Sequence, residues 1–400
     1  MLKPLEVKED ICWVGSLDYD IKVFDIIMRT DYGTTYNAYV VKGNEKTVLI
    51  EISKEGFFEE FFERLKGVVD PAEIDYIIMN HTEPDHTGSL FKILQFCPKA
   101  VLVGTSTALR FIKEILNKDD VPSLAVSDGD SLDIGGKTLK FITAPLLHWP
   151  DTMFTYIPES AALFSCDSFG CHYCDSKVFN DLIEGDFYDA YKYYFDNIMG
   201  PFKGSVASAL KKIESLKIDV ICNGHGPVIR TNPGKYIGYY SQWSKPAKNE
   251  KPSVAIIYVT AYGYTKELAT KIAEGVNSIS GIDVKSFDIT GADEAEAISA
   301  LQSSDGFILG SPTLVGDALP PIYNALAHLN PIIDKGKLAG AFGSYGWSGE
   351  AVPNIEARLR QLRLKMPVQG LKVLFKPNDE DLKKAFEYGA LFAEALIGKN

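Results

Sequence analysis

Residues 244–252, SKPAKNEKP, break the pattern of this chain more sharply than any other stretch. The segment is polar and basic and carries two prolines, so it reads as a linker. The chain is 400 residues long, enough for more than one buried core. We therefore expect two domains, 1–248 and 249–400. Neither half shows an internal repeat or a low-complexity tract.

The second half has the cleaner pattern. Apolar runs at 254–259, 284–289, 306–310, 338–342 and 371–375 alternate with helical segments, the first starting near Thr265. Five strands alternating with helices predict an α/β fold with a doubly wound parallel sheet. In the first half, strands are expected at 36–41, 47–52, 75–79, 100–104, 153–157, 161–166 and 218–222, with a hairpin turn at 133–137. Helical patterns fall near 57–65, 108–116, 188–198, 206–216 and 235–243. Many strands with helices between them suggest layered sheets covered by helices.

Charge removes several functions from consideration. With 41 Lys and Arg against 53 Asp and Glu, the formal net charge is −12, which disfavours a nucleic-acid backbone or an anionic membrane as partner. No apolar run is long enough to span a bilayer, and the start, MLKPLEVKED, lacks the apolar core of a secretory leader. The six cysteines are scattered, which reads as free thiols in a reducing, cytoplasmic setting.

In an open parallel sheet, ligands bind beyond the carboxyl ends of the strands. Three loops in the second half are built for this. The first is Thr260, Ala261, Tyr262, Gly263, Tyr264 and Thr265, which offers hydroxyls and backbone N–H groups at the start of a helix. It contains no Lys, and neither a nucleoside-triphosphate loop nor a G-x-G-x-x-G is present, so a single phosphate monoester fits best. The second is Ser311, Pro312, Thr313, Leu314, Val315 and Gly316. The third is Gly343, Ser344, Tyr345, Gly346, Trp347, Ser348 and Gly349, with two aromatics to stack on a flat ring. One phosphate cradle and two ring-clasping loops describe a site for flavin mononucleotide, FMN.

The first half carries metal-ligand chemistry. The run MNHTEPDHTG at 79–88 holds His81, Glu83, Asp85 and His86 in an H-x-E-x-D-H pattern. His148, Asp167 and His225 lie on later loops beside strands. A catalytic metal needs about three protein ligands and an open position, so seven donors suit two ions. We expect His81, Glu83 and His148 on one ion, Asp85, His86 and His225 on the other, and Asp167 between them. His172 is a candidate neighbour of this centre. Cys171 and Cys174 have CxxC spacing but no second pair, and the sequence gives them no role.

The three flavin loops resemble those of flavodoxin. The metal loop resembles that of the metallo-β-lactamase superfamily, except that Glu83 stands where its hydrolases carry a second histidine. A hard anionic oxygen in place of imidazole favours iron over zinc. Together the halves resemble the flavodiiron proteins, with further matches at residues 33–37, at His148–Asp151 and at Gly346-Trp347. The resemblance implies an N-terminal αββα sandwich fused to the flavodoxin-like domain. It implies reduction of dioxygen to water, of nitric oxide to nitrous oxide, or of both, at a di-iron centre fed by FMN. It also implies a head-to-tail homodimer. In such a mechanism Tyr194 and His172 are candidates either for proton donors or for groups that support the metal ligands. No Cys follows Cys222, so no fused rubredoxin is expected, and the donor would be a separate rubredoxin or a reduced deazaflavin.

Overall fold

The computed structural model describes residues 3–25, 28–245, 251–291 and 294–398. The chain separates into two compact units, Met1–Pro246 and Ala247–Asn400. The expected domain boundary at 248/249, in the middle of the linker, lies outside the described residues.

The first unit is built on two sheets. One has seven strands in the order Leu5–Lys8, Ile11–Trp13, Tyr39–Lys42, Thr47–Ile50, Tyr76–Ile78, Val101–Gly104 and Ser123–Ala125. The first four pair antiparallel and the rest add in parallel. The other has five strands, Ser131–Asp133, Thr138–Thr143, Met153–Ile157, Ala162–Cys166 and Val220–Asn223, of which the last two are parallel.

Side-chain alternation sorts residues to the two faces of each sheet. In the larger sheet Tyr39, Val41, Val48, Ile50, Ile78 and Val103 point into the core shared with the smaller sheet. Their neighbours Val40, Leu49, Ile77 and Leu102 pack on the other face against the helices Phe58–Lys66 and Ser106–Leu116. In the smaller sheet Phe141, Met153, Phe164 and Cys222 point inward. Phe154, Tyr156, Leu163 and Ile221 point outward, under the helices Lys203–Ile213 and Pro233–Trp243. The result is a helix–sheet–sheet–helix sandwich.

Three readings of the sequence are corrected. The single strand expected at 36–41 is two. Thr34–Tyr36 pairs with Ser16–Asp18 in a separate ribbon, and Tyr39–Lys42 enters the large sheet. The side chain of Asn37, between them, hydrogen-bonds Asn223 and Gly226, which turns the chain from one sheet to the other. The helix expected at 188–198 stops at Tyr194 and continues as a π-helical turn, Phe195–Met199. In the second unit the fourth strand runs on to Tyr345, so Gly343, Ser344 and Tyr345 belong to the strand and not to the loop after it.

The second unit is a parallel sheet of five strands in the order Asp283–Asp288, Ser253–Tyr258, Gly306–Gly310, Leu338–Tyr345 and Leu371–Leu374. Alternate residues again feed two cores, Ala255, Ile257, Phe307 and Leu309 on one face, Val254, Ile256, Ile308 and Phe342 on the other. The strand order reverses at Ser253–Tyr258, which places a crevice beyond its carboxyl end.

Phe164 is fully buried between the two sheets and packs edge-on against Tyr39, with ring centroids 5.4 Å apart. Phe164→Ala should cost the first unit about 3–5 kcal/mol. Denaturant titration should show the transition of that unit moved to lower denaturant and the transition of the flavodoxin-like unit unchanged.

Candidate metal centre and flavin cleft

The metal-ligand residues sit where the first unit's strands end. The strand Tyr76–Ile78 runs into the loop bearing His81 and Glu83. Pro84 then opens a single helical turn, Pro84–Thr87, that carries Asp85 and His86. Asp167 follows the strand Ala162–Cys166 and His225 follows its parallel neighbour Val220–Asn223, so both emerge at the same edge. His148 lies in the connection that precedes Met153–Ile157. A glycine makes the closest approach possible: a Cβ on Gly224 would lie 2.8 Å from Cε1 of His86.

These seven side chains form two sets that share one residue. Nε2 of His148 is 2.9 Å and Nε2 of His81 is 3.2 Å from Oε2 of Glu83, and both nitrogens are 3.5 Å from Oδ2 of Asp167. On the other side, Nε2 of His225 is 3.0 Å and Nε2 of His86 is 3.6 Å from Oδ2 of Asp85. The same two nitrogens are 3.3 Å and 3.1 Å from Oδ1 of Asp167. Asp167 therefore turns one oxygen to each set. Among the described residues, Oδ2 of Asp167 and both oxygens of Asp85 are buried without a hydrogen bond. A buried carboxylate in that condition is costly unless a cation completes it, so the donor set fits two metal ions. Three carboxylates and four imidazoles make a hard, anionic set suited to iron.

The outer nitrogens of two histidines are also held. Nδ1 of His81 is 3.2 Å from Oδ2 of Asp151, which also accepts from the N–H and hydroxyl of Thr82. Nδ1 of His225 donates to the carbonyl of Thr35 at 2.7 Å. Both contacts leave Nε2 facing the centre.

In the second unit a cleft of about 330 Å³ opens at the predicted crevice. Ala261, Tyr262, Tyr264, Pro312, Thr313, Leu314, Val315, Gly316, Ser344, Tyr345, Gly346 and Trp347 line it. Thr260, Gly263, Thr265, Ser311, Ser348 and Gly349 do not. Several of these shape it instead. The hydroxyl of Thr260 accepts from the N–H of Gly263, whose φ of 87° starts the helix Tyr264–Asn277. Thr265 and Ser344 join their hydroxyls at 2.9 Å, tying the first loop to the third. Ser311 accepts from the N–H of Leu319. Tyr262 and Trp347 stand 81% and 84% exposed at the rim, ready to cover a planar ring.

The chain matches a family model described as ODP family beta lactamase over residues 34–226 and a flavodoxin model over residues 256–389. It is 40% identical to the flavo-diiron protein FprA2 of Clostridium acetobutylicum, over 98% of this chain and 99% of that protein. The chain belongs to the flavodiiron (type A flavoprotein) family. It is also 35% identical to a nitric oxide reductase of Moorella thermoacetica, over 99% of this chain and 100% of that one. Among solved structures it resembles rubredoxin oxygen:oxidoreductase from Desulfovibrio gigas, with TM-score 0.70, 27% identity and 99% of each chain covered. It also resembles the flavodiiron protein of Giardia intestinalis, with TM-score 0.68, 32% identity, 100% of this chain and 98% of that one.

Sequence reasoning missed some residues of this flavodiiron protein's sites. Phe375 lines the flavin cleft but lies after the last strand, outside any motif. Phe24 packs on His172 and His225, with ring centroids at 4.3 and 5.5 Å, from a two-residue strand no pattern reveals. Asp151 was within reach, since it closes the stretch that begins at His148. His172 lies 5.4 Å ring to ring from His225, with Nδ1 2.9 Å from the Thr34 hydroxyl. Burial, with the charge of His225, lowers its pKa to about 3 and keeps it neutral. Tyr194 lies 4.9 Å from the His172 ring, and burial keeps its phenol protonated. Cys171 is buried and Cys174 half-buried, and both are free thiols.

Without metal, the histidines hold protons. Burial lowers their pKa values, but contacts to Asp151 and Glu83 for His81, and to Asp167 and Glu83 for His148, outweigh it and raise them to about 9 and about 10. His225, beside Asp167 and Asp85, rises to about 9 in spite of burial. Metal must displace these protons. Loading the apoprotein at pH 7 should therefore release protons, and apparent metal affinity should climb from pH 6 to about 10. Calorimetry in buffers of different ionisation enthalpy checks this. At the other site, Trp347→Ala should weaken FMN binding to deflavinated protein about tenfold, read by flavin fluorescence, with Trp347→Phe close to wild type.

Proposed function

We propose that His81, Glu83 and His148 hold one iron, that Asp85, His86 and His225 hold the other, and that Asp167 bridges them. The observation that carries this is the Asp167 carboxylate, with one oxygen toward each histidine pair. The protein reduces dioxygen to water, nitric oxide to nitrous oxide, or both, with electrons from an external donor. When bound, the iron pair and FMN supply the electrons, up to four for dioxygen and two for a pair of nitric oxide molecules.

The chain's own residues bind, shield and deliver. Glu83, Asp85 and Asp167 offset the positive charge of two metal ions. Trp149 stands edge-on to His81 at 5.1 Å and Phe24 covers His225, which narrows access for bulk water. The phenol O–H of Tyr194, kept protonated by burial, is the proton source we assign on the His225 side, and neutral His172 stands beside it as a neighbour of the centre. Tyr262, Tyr345 and Trp347 clasp the flavin ring, and the start of the helix Tyr264–Asn277 takes its phosphate.

The donor we propose is a separate rubredoxin, in line with the name of the Desulfovibrio gigas protein, or a reduced deazaflavin. A head-to-tail homodimer belongs to the same reading, supported by the exposed aromatic rim of the flavin cleft. So does a cytoplasmic location, supported by six unpaired cysteines. No helix among the described residues is long and apolar enough to cross a membrane.

Steady-state consumption of dioxygen and nitric oxide, measured side by side with a reduced rubredoxin system, tests the function. Iron- and flavin-loaded protein should consume at least one, and Glu83→Ala should lose at least 100-fold while keeping its FMN (roughly the cost of disabling a catalytic metal). Consumption of neither gas by loaded wild-type protein would defeat the proposal.

A further inference from the structure

Two of the four centre histidines have an acceptor at Nδ1, Asp151 for His81 and the Thr35 carbonyl for His225. Among the described residues, His86 has no hydrogen-bonding carboxylate or carbonyl there, yet a carboxylate stands nearby. Glu51 is 2% exposed and follows the strand Thr47–Ile50 with a φ of 58°, a left-handed conformation rarely taken by a residue with a side chain. Oε1 of Glu51 accepts from the N–H of Asn80 at 2.8 Å, just before His81. Oε2 is buried without a hydrogen bond and lies 3.6 Å from Nδ1 of His86. Sγ of Cys166, a weak acceptor, lies 3.7 Å from the same nitrogen.

We infer that Glu51 is the positioning residue for His86, accepting the Nδ1 proton so that the Nε2 lone pair faces the Asp85–Asp167 side of the centre. The inference rests on the reading of His86 as a metal ligand. An imidazole that gives Nε2 to a metal carries its proton on Nδ1, and that proton needs an acceptor in a buried site. Glu51 also holds the backbone of the loop through Asn80, so one carboxylate sets both the start of the loop and the ring at its end. Each metal set then has one histidine braced by a carboxylate, His81 by Asp151 and His86 by Glu51.

Glu51→Gln separates the two jobs. Gln can keep a carbonyl acceptor for Asn80, but its amide then turns N–H toward Nδ1–H, donor against donor. Apoprotein titrated with Co²⁺, followed by bound-metal count and visible absorption, reads the result. Wild type should take two ions. Glu51→Gln should keep one ion at wild-type affinity and bind the second about 10–100-fold more weakly, with an altered ligand-field spectrum and little change in Tm. Two ions bound within twofold of wild-type affinity would overturn the role of Glu51. His86→Ala is the control for the ligand reading. If it still binds two ions tightly, that reading fails; if it loses the second while Glu51→Gln does not, only the positioning role fails. Should Glu51→Gln not fold, the histidine ¹⁵N–¹H spectrum of Zn²⁺-loaded wild type decides. A far-downfield, slowly exchanging Nδ1 proton on His86 marks a carboxylate acceptor. A proton at an ordinary imidazole position overturns it.

Discussion

The first unit is organised around a carboxylate that cannot be buried alone. Asp167 is 1% exposed and Asp85 8%, and among the described residues one oxygen of Asp167 and both oxygens of Asp85 lack a hydrogen bond. Isolated buried anions are among the most expensive features a fold can contain. What makes Asp167 tolerable is the pair of histidine sets on either side, and in the proposed centre the two metal ions between them. Much of the local architecture serves that placement. Two parallel strands bring Asp167 and His225 to one edge, Gly224 leaves room for the His86 ring, and Asn37 pins the turn before His225.

The two units solve the same problem in opposite media. Both collect their functional groups beyond strand ends, where loops vary freely while the sheet stays rigid. The metal centre is anionic and largely buried, with Glu83 and His148 its more open members. The flavin cleft is shallow, apolar and exposed, as a planar ring that must exchange electrons with a partner requires. The net charge of −12 is thus unevenly used: three of the carboxylates face a proposed cation site, whereas the cleft is rimmed by aromatics.

The legible parts of the sequence were those written in local pattern. Apolar runs with β-branched residues marked nearly every long strand, because burial on both faces leaves a continuous signature. The H-x-E-x-D-H run was legible because four donors fall within six residues, and His148, Asp167 and His225 because each lies beside a recognisable strand. Hidden were features set by distant partners. The break at Asn37 depends on hydrogen bonds to residues almost 190 positions away. Phe24 reaches its site from a segment too short for any periodicity, and Phe375 reads as the end of the last strand, with nothing local to mark it as lining the cleft. Glu51 falls inside the run 47–52 with nothing local to single it out, and only the folded arrangement shows its free oxygen turned to His86.

Mössbauer spectroscopy of the oxidised protein loaded with ⁵⁷Fe tests the central claim most directly, because magnetic coupling reports whether two irons share a bridge. The account predicts two high-spin ferric ions per chain with a diamagnetic, antiferromagnetically coupled ground state. A single ferric ion per chain, or two that behave as isolated paramagnets, would contradict it.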